Sequence, residues 1–164
     1  MKAPQRGHLE SPIGTIEVTV NEAAAVVSLS FVDEPTPVAE QNSDACSRAL
    51  QQLEEYFRGE RRHFELALEP EGTEFELKVW NQVRRIPYGA TGTYGEIARR
   101  LGADPGSARA VGVANARNPI AIIVPCHRVI GADGELAGYA GGLDRKKWLL
   151  DMESGQARLE FYSA

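Results

Sequence analysis

Cysteine is scarce in this chain. Cys46 and Cys126 lie 80 positions apart with no second pair nearby. A disulfide framework is excluded, and a single long bridge would need an oxidising compartment. Histidine lacks pattern: His8, His63 and His127 are scattered and share no ligand spacing with the cysteines, so no metal and no cofactor is expected. Long apolar runs are missing too. The longest, Ile120 to Pro125, is far too short to cross a bilayer, and the opening MKAPQRGHLE has no apolar signal-peptide core. The default is a cytoplasmic protein without a membrane partner. Repeats and low-complexity tracts are absent as well.

What is present is ordinary in bulk and uneven in detail. The 164 residues, 43% apolar and 25% charged, suffice for one domain or two small ones. A net charge of −5 argues against a protein that coats nucleic acid with a wholly basic surface. The charge is segregated, however. Residues 1–72 hold 6 Lys/Arg against 13 Asp/Glu, while Arg84 to Arg128 holds seven arginines against Glu96 and Asp104. A local basic patch of that kind can make a nucleic-acid footprint on an acidic chain.

Periodicity divides the chain near Thr73. SPIGTIEVTVNEAAAVVSLSFVDE alternates apolar and polar residues as strands do, and DEPTPVAE, with two prolines, breaks the pattern as a surface loop. From Ser43 the spacing becomes three and four (Cys46, Ala49, Leu50, Leu53, Tyr56, Phe57), which predicts an amphipathic helix ending at Gly59 with Cys46 on its buried stripe. HFELALEP resumes alternation and predicts a further strand. Beyond Thr73 two capping boxes, TEFE and TYGE, open helices. The first turns Phe75, Val79, Val83 and Ile86 inward; the second runs to Leu101. GADPGSARAVGVANA supplies a turn and another helix bearing Arg109, the outline of a helix-turn-helix. Asp133-Gly134 marks a hairpin turn, a glycine cluster follows, and a last helix spans about Asp144 to Glu153.

The chemistry concentrates in IAIIVPCHRVIG. Neighbours on a strand face opposite sides, so Cys126 and His127 cannot act together if the strand continues. Pro125 removes a donor and holds Val124 extended. The predicted strand therefore ends there, and Cys126-His127-Arg128 forms a turn. A thiol at the start of such a turn meets backbone N–H groups, which favour the thiolate. His127 could accept the thiol proton, directly or through a water, and an acid could orient the ring. Read singly, each residue also has a plain structural use: Cys126 as a buried hydrophobe, His127 as a satisfied histidine, Arg128 in an ion pair.

Together they resemble a family. IVPCHRVIG, preceded by NARNP and followed by GYAGGLDRKKWLL, closely resembles the O6-alkylguanine-DNA alkyltransferases. The likeness extends through GTEFELKVWNQVRRIPYGATGTYGEIA and SARAVGVANA, covering nearly all of residues 73–153, and SPIGTIEV resembles the family's leading domain. The resemblance implies an α+β fold: a small N-terminal antiparallel sheet-and-helix domain over residues 1–72, then a mainly helical, winged-helix-like domain with the helix-turn-helix over residues 73–154, and a tail at 155–164. It implies a single-turnover methylated-DNA–protein-cysteine S-methyltransferase that acts as a monomer on double-stranded DNA containing alkylated guanine, with O4-alkylthymine a candidate second substrate.

By the same resemblance Cys126 accepts the alkyl group, His127 is a water-linked base, Glu153 orients it, and Asn118 braces the turn before the active-site strand. Tyr94 hydrogen-bonds N3 of the extruded purine, Arg109 fills the gap left in the stack, and Tyr139 walls the pocket. Backbone groups at Val129 and Ala140 read the base edge; Ser107 and Arg128 complete the DNA-facing set. Many relatives carry serine where this chain has Ala140, so any hydroxyl contribution there is lost. The Cys and His of the zinc site found in some relatives' leading domain are missing.

Two other classes compete. A DNA-binding module without transfer chemistry, either a lesion sensor or a helix-turn-helix regulator, would not need Cys126. A Cys-His hydrolase would need an oxyanion hole, for which the sequence offers nothing beyond the bare pair.

Overall fold

The structure, a computed structural model, describes residues 4–34, 44–136 and 138–155. Most of the loop expected at DEPTPVAE and the tail after Gly155 lie outside the described residues. The chain divides into two compact units, residues 1–71 and 72–164.

In the first unit three antiparallel strands run in sequence order: β1 (Gln5–Ser11), β2 (Gly14–Val20) and β3 (Val26–Phe31). The alternation read from the sequence sets their faces. Ile16, Val18 and Val20 point inward against α1 (Asp44–Phe57), whose Cys46, Ala49, Leu53 and Tyr56 are fully buried. Burial of each Ile, Val or Leu among them stabilises the unit by about 1.5–3 kcal/mol. β1 was not foreseen. Its residues QRGHLES look polar because the strand buries little except Gly7, and Gly7 must be glycine because a Cβ would strike the Cys46 sulfur. Register pairs Ser11 with Gly14 across a tight turn in which the Ser11 hydroxyl donates to the Gly14 carbonyl (2.6 Å).

The strand expected at HFELALEP is not formed. One residue, Leu68, bridges to Val26, through Val26 N–H to Ala67 O (2.8 Å) and Glu69 N–H to Val26 O (2.9 Å). The stretch before it is held by a side chain: Gln52 accepts from Glu65 N–H (2.9 Å) and donates to Glu65 O (3.3 Å). An α1 amide takes the place of a strand partner, so the alternation persists without a ladder.

In the second unit both capping boxes form as read. Thr73 and Glu76 open α2 (Glu74–Val83), and Thr93 and Glu96 open α3 (Tyr94–Arg100). Val79, Trp80 and Val83 face the core; Ile86 is buried just beyond the helix, while Phe75 is only half-buried. A turn leads through a 3₁₀ segment, Pro105–Ser107, to α4 (Ala108–Ala116), which packs on both α2 and α3. This is the helix-turn-helix. The Trp80 indole N–H donates to Ala114 O (2.8 Å), tying α2 to the end of α4. Two short strands, β4 (Gly92–Thr93) and β5 (Val129–Ile130), pair in parallel, and α5 (Leu143–Ser154) closes the unit. With a small antiparallel sheet and five helices among the described residues, the fold is α+β.

Two local expectations fail here. IAIIV is not a strand but a tight reversal. Val124 N–H reaches back to Ile120 O (3.0 Å), Ile123 N–H to Ala121 O (2.8 Å), and Ile122 sits at φ 70°. A β-branched residue in the left-handed region is strained and persists only where its surroundings over-determine it. The turn at Asp133-Gly134 exists, with Gly134 at φ 84° and Gly131 N–H bonded to Glu135 O (2.9 Å). It is not a hairpin, because β5 pairs in parallel with β4 instead of with the chain that follows the turn.

Candidate active site

The reversal at 120–124 delivers Cys126 to the start of a single 3₁₀ turn, Cys126–Arg128. Pro125, at φ −80° and ψ 63°, makes an inverse γ-turn in which Cys126 N–H bonds Val124 O (2.7 Å). Asn118 braces the reversal: its Nδ2 donates to Val124 O (2.9 Å) and Ile120 O (3.3 Å), and its Oδ1 accepts from Ile120 N–H (3.0 Å).

The thiol of Cys126 is not ionised at rest, contrary to the reading of the turn as a thiolate site. Burial pushes it up to about 11, against the pull of the Asn118 amide, the Lys146 charge and the N–H groups of Cys126 and His127. The amides face the sulfur as expected, but desolvation wins.

His127 is fully buried. Burial lowers its pKa, against the hydrogen bond and charge of Glu153, so the ring is neutral. Nε2 lies 2.7 Å from Glu153 Oε2. Nδ1 is buried with no hydrogen-bond partner among the described residues. Burial raises the Glu153 pKa, but the hydrogen bonds and charges of His127 and Arg128 outweigh it and hold the carboxyl at about 2. Nε2 is therefore the protonated nitrogen, donating to a carboxylate, and Nδ1 carries the free lone pair.

Arg128, expected among the DNA-facing residues, is buried and committed inward. Its Nε and Nη2 grip Glu153 (2.7 and 3.0 Å), Nη1 donates to Ile86 O (2.8 Å), and the guanidinium lies 5.7 Å from the Tyr88 ring centroid. It fixes the carboxylate that fixes the histidine.

Two tyrosines feel the charge of the sulfur. Tyr94, first residue of α3, and Tyr139, buried in the loop before α5, are both raised by burial and then by the charge of Cys126. The Tyr139 hydroxyl has no hydrogen-bond partner among the described residues. A Cβ at Gly138 would sit 3.5 Å from the Tyr94 hydroxyl, and one at Gly112 of α4 would sit 3.7 Å from its ring. Arg109, exposed, lies one helical turn before Gly112 and so shares the α4 stripe that meets Tyr94. Ser107 precedes that helix, and its hydroxyl makes no cap bond. Val129 is fully buried, and Ala140 is exposed in the turn closed by Gly142 N–H to Tyr139 O (3.0 Å).

Two residues escaped the sequence reading. Asn115, on α4, donates through Nδ2 to Cys126 O (3.2 Å), and its Oδ1 is buried without a hydrogen-bond partner among the described residues. Lys146, on α5, is fully buried and donates to Val129 O (2.6 Å). The available signal was a polar residue on an apolar stripe: Asn115 four after Val111, and Lys146 three before Leu149. No group of three or more His, Cys, Asp or Glu able to hold a metal ion occurs among the described residues.

Comparison with known proteins matches both parts of the chain. Residues 6–70 match the family model described as 6-O-methylguanine DNA methyltransferase, ribonuclease-like domain, and residues 74–155 that family's DNA binding domain. The methylated-DNA–protein-cysteine methyltransferase of Methanosarcina acetivorans is 51% identical over 149 residues, covering 88% of this chain and 94% of the relative. A crystal structure of Mycobacterium tuberculosis O6-methylguanine methyltransferase superposes with a TM-score of 0.83 at 43% identity, covering 94% of each chain. One of Mycobacterium tuberculosis OGT in complex with DNA gives 0.82 at 44%, covering 93% of this chain and 94% of that one. A shared fold and half the residues in common along nearly the whole length leave one assignment: the chain belongs to the methylated-DNA–protein-cysteine methyltransferase family.

Proposed function

We propose that this protein repairs alkylated DNA by moving the alkyl group from O6 of guanine to its own Cys126, once per molecule. The observation that carries this reading is a buried cysteine faced by the Asn118 amide, adjoining a histidine–carboxylate pair, and near enough to Tyr94 and Tyr139 for its charge to act on both hydroxyls. DNA as the partner is supported by the match to the DNA binding domain and by the relative crystallised with DNA. No helix among the described residues is long and apolar enough to cross a membrane.

The chemistry follows from the protonation states. A thiol at about 11 is a poor nucleophile at pH 7 until its proton leaves. Neutral His127, with Nε2 engaged by Glu153, offers Nδ1 as the acceptor, directly or through one water. As that proton transfers, the sulfur attacks the alkyl carbon. An S–C bond forms, the C–O6 bond breaks, and its electron pair passes to O6 and the purine ring. A hydrogen bond from the Tyr94 hydroxyl to the ring offsets the charge gathering there. The product is a neutral thioether with no leaving group to expel, so the molecule is spent.

A thiol cannot reach O6 inside a stacked duplex, so the nucleotide must be extruded at a cost of a few kcal/mol. Arg109, exposed on α4, fills the gap, and the protein acts as a monomer. Incubation with a duplex containing O6-methylguanine, followed by intact-mass measurement, tests the reading. One methyl adduct per molecule is expected on Cys126, and Cys126→Ala should form none while still binding DNA. A wild-type protein that binds but never gains mass would be a binding module instead.

A further inference from the structure

Asn115 is buried on α4, only 1% exposed, and its amide is half used. Oδ1 has no hydrogen-bond partner among the described residues, while Nδ2 donates to Cys126 O at 3.2 Å. Only the nitrogen end of an amide can face a carbonyl, so the orientation is fixed. A buried acceptor left without a donor costs stability, and a leucine of similar size would avoid that cost. The turn does not need the bond in order to close, because Val129 N–H already donates to Cys126 O within the 3₁₀ segment. The second donor therefore calls for a use.

The carbonyl it grips suggests one. Cys126 O and His127 N–H belong to the same peptide, and in a trans peptide they point in opposite directions. One end meets Asn115; the other acts on the Cys126 sulfur. The N–H of Cys126 itself is shared with Val124 O (2.7 Å). A donor on the carbonyl polarises the peptide and strengthens the N–H at its far end. Asn115 can hold that plane still, because the Trp80 indole fastens the adjoining Ala114 O at 2.8 Å.

We propose that Asn115 is a positioning residue for the transfer. Holding the Cys126–His127 peptide by its carbonyl, it aims and strengthens the His127 N–H that supports negative charge on the sulfur as the thiol proton leaves. This rests on the alkyl-transfer reading above. The same contact joins the second helix of the helix-turn-helix, which carries Arg109, directly to the backbone of the nucleophile. Asn118 acts differently. It grips Ile120 O and Val124 O, ahead of the proline, and its amide reaches the sulfur itself. Loss of Asn115 thus leaves the reversal braced and removes support from the peptide alone.

Asn115→Leu separates this role from a structural one. It removes the donor together with the unpaired acceptor, and Cys126 O keeps Val129 N–H, so stability to urea should be unchanged or higher. Transfer from free O6-benzylguanine at pH 7 should nevertheless fall by about tenfold, the equivalent of one pKa unit at the sulfur. Alkylation of Cys126 by iodoacetamide follows the thiolate population and needs no purine pocket; it should fall several-fold at neutral and mildly alkaline pH. A merely structural role would not slow it, since a loosened site admits the reagent faster. A wild-type transfer rate, or slowed transfer with a wild-type iodoacetamide rate, would overturn the proposal. If the variant does not fold, the wild-type protein decides. S-methylation of Cys126 should shift the Asn115 side-chain amide resonances in NMR of asparagine-labelled protein, and unmoved resonances refute the coupling. Failure of the wild-type protein to take up any benzyl group would instead refute the alkyl-transfer reading.

Discussion

At a pKa of about 11, Cys126 is ionised in about one molecule in ten thousand at pH 7, so its reactivity must be created in the step itself. General-base removal of the proton typically contributes about 10²–10⁴-fold. His127→Ala should therefore slow transfer from O6-benzylguanine by about a hundredfold, and the variant's rate should rise with pH where hydroxide replaces the base. The same shift has a thermodynamic face. A group whose folded pKa is raised contributes stability that is full below its unfolded value, near 9, and is lost as pH rises through 11. Chemical denaturation should show roughly 2–3 kcal/mol lost between those limits in the unmodified protein. None of that loss should appear after S-methylation, because a thioether has no proton to give. Glu153 works in the opposite sense. Its folded pKa is depressed from 4.5 to about 2, so its contribution is present above 4.5 and is lost as pH falls through 2.

At the scale of elements, the site depends on how α3 and the glycine loop begin. Thr93 accepts from Glu96 N–H (3.1 Å) and so fixes the first turn of α3, where Tyr94 sits. Thr93→Ala should cost about 1 kcal/mol of stability by urea denaturation and slow transfer further by loosening Tyr94. Gly138→Ala tests the loop. Its φ of 62° disfavours any side chain, and the new methyl would stand 3.5 Å from the Tyr94 hydroxyl, an ordinary contact that takes up room beside it. Transfer from benzylguanine should suffer more than reaction with iodoacetamide, which needs less room. Both capping boxes and the α1 stripe were legible in the sequence because their signals are local: three residues, or one helical face. The reversal at 120–124 was not. Its apolar residues spell a buried strand, and what bends them is the Asn118 amide bonding Ile120 and Val124, invisible to any period. The partner of the Arg128 ion pair is hidden for the same reason. The residues that Arg128 bonds, Glu153 and Ile86, are 25 and 42 positions away. Cys126 and His127 stand out from their local sequence and Glu153 is named only by likeness to a family, whereas Asn115 and Lys146 need the packed structure.

At the scale of the whole molecule, a chain of net charge −5 is proposed to bind a polyanion. Charges further apart than about 10 Å are screened at 0.1 M salt, so the local field decides and the total charge does not. That field comes from the span with seven arginines against two acids; Arg99, Arg100 and Arg109 are exposed on the helix-turn-helix, while Arg128 is withdrawn inward. The helix expected to meet DNA exposes Ala110 and Val113 beside Arg109, with no amide or carboxylate to read a base edge. On the proposed function such a surface would hold the backbone and inspect every sequence alike, as repair of a randomly placed lesion requires. Affinity for duplexes should fall steeply with salt and vary little with flanking sequence, measured by fluorescence anisotropy across a salt series. Arg99→Ala or Arg100→Ala should each reduce the logarithmic salt slope by about one where that side chain meets a phosphate. Arg109→Ala should behave differently. If its role is to fill the stack, duplex repair drops while reaction with free benzylguanine is kept; equal losses in both would mean that Arg109 supports the pocket and does not extrude the base.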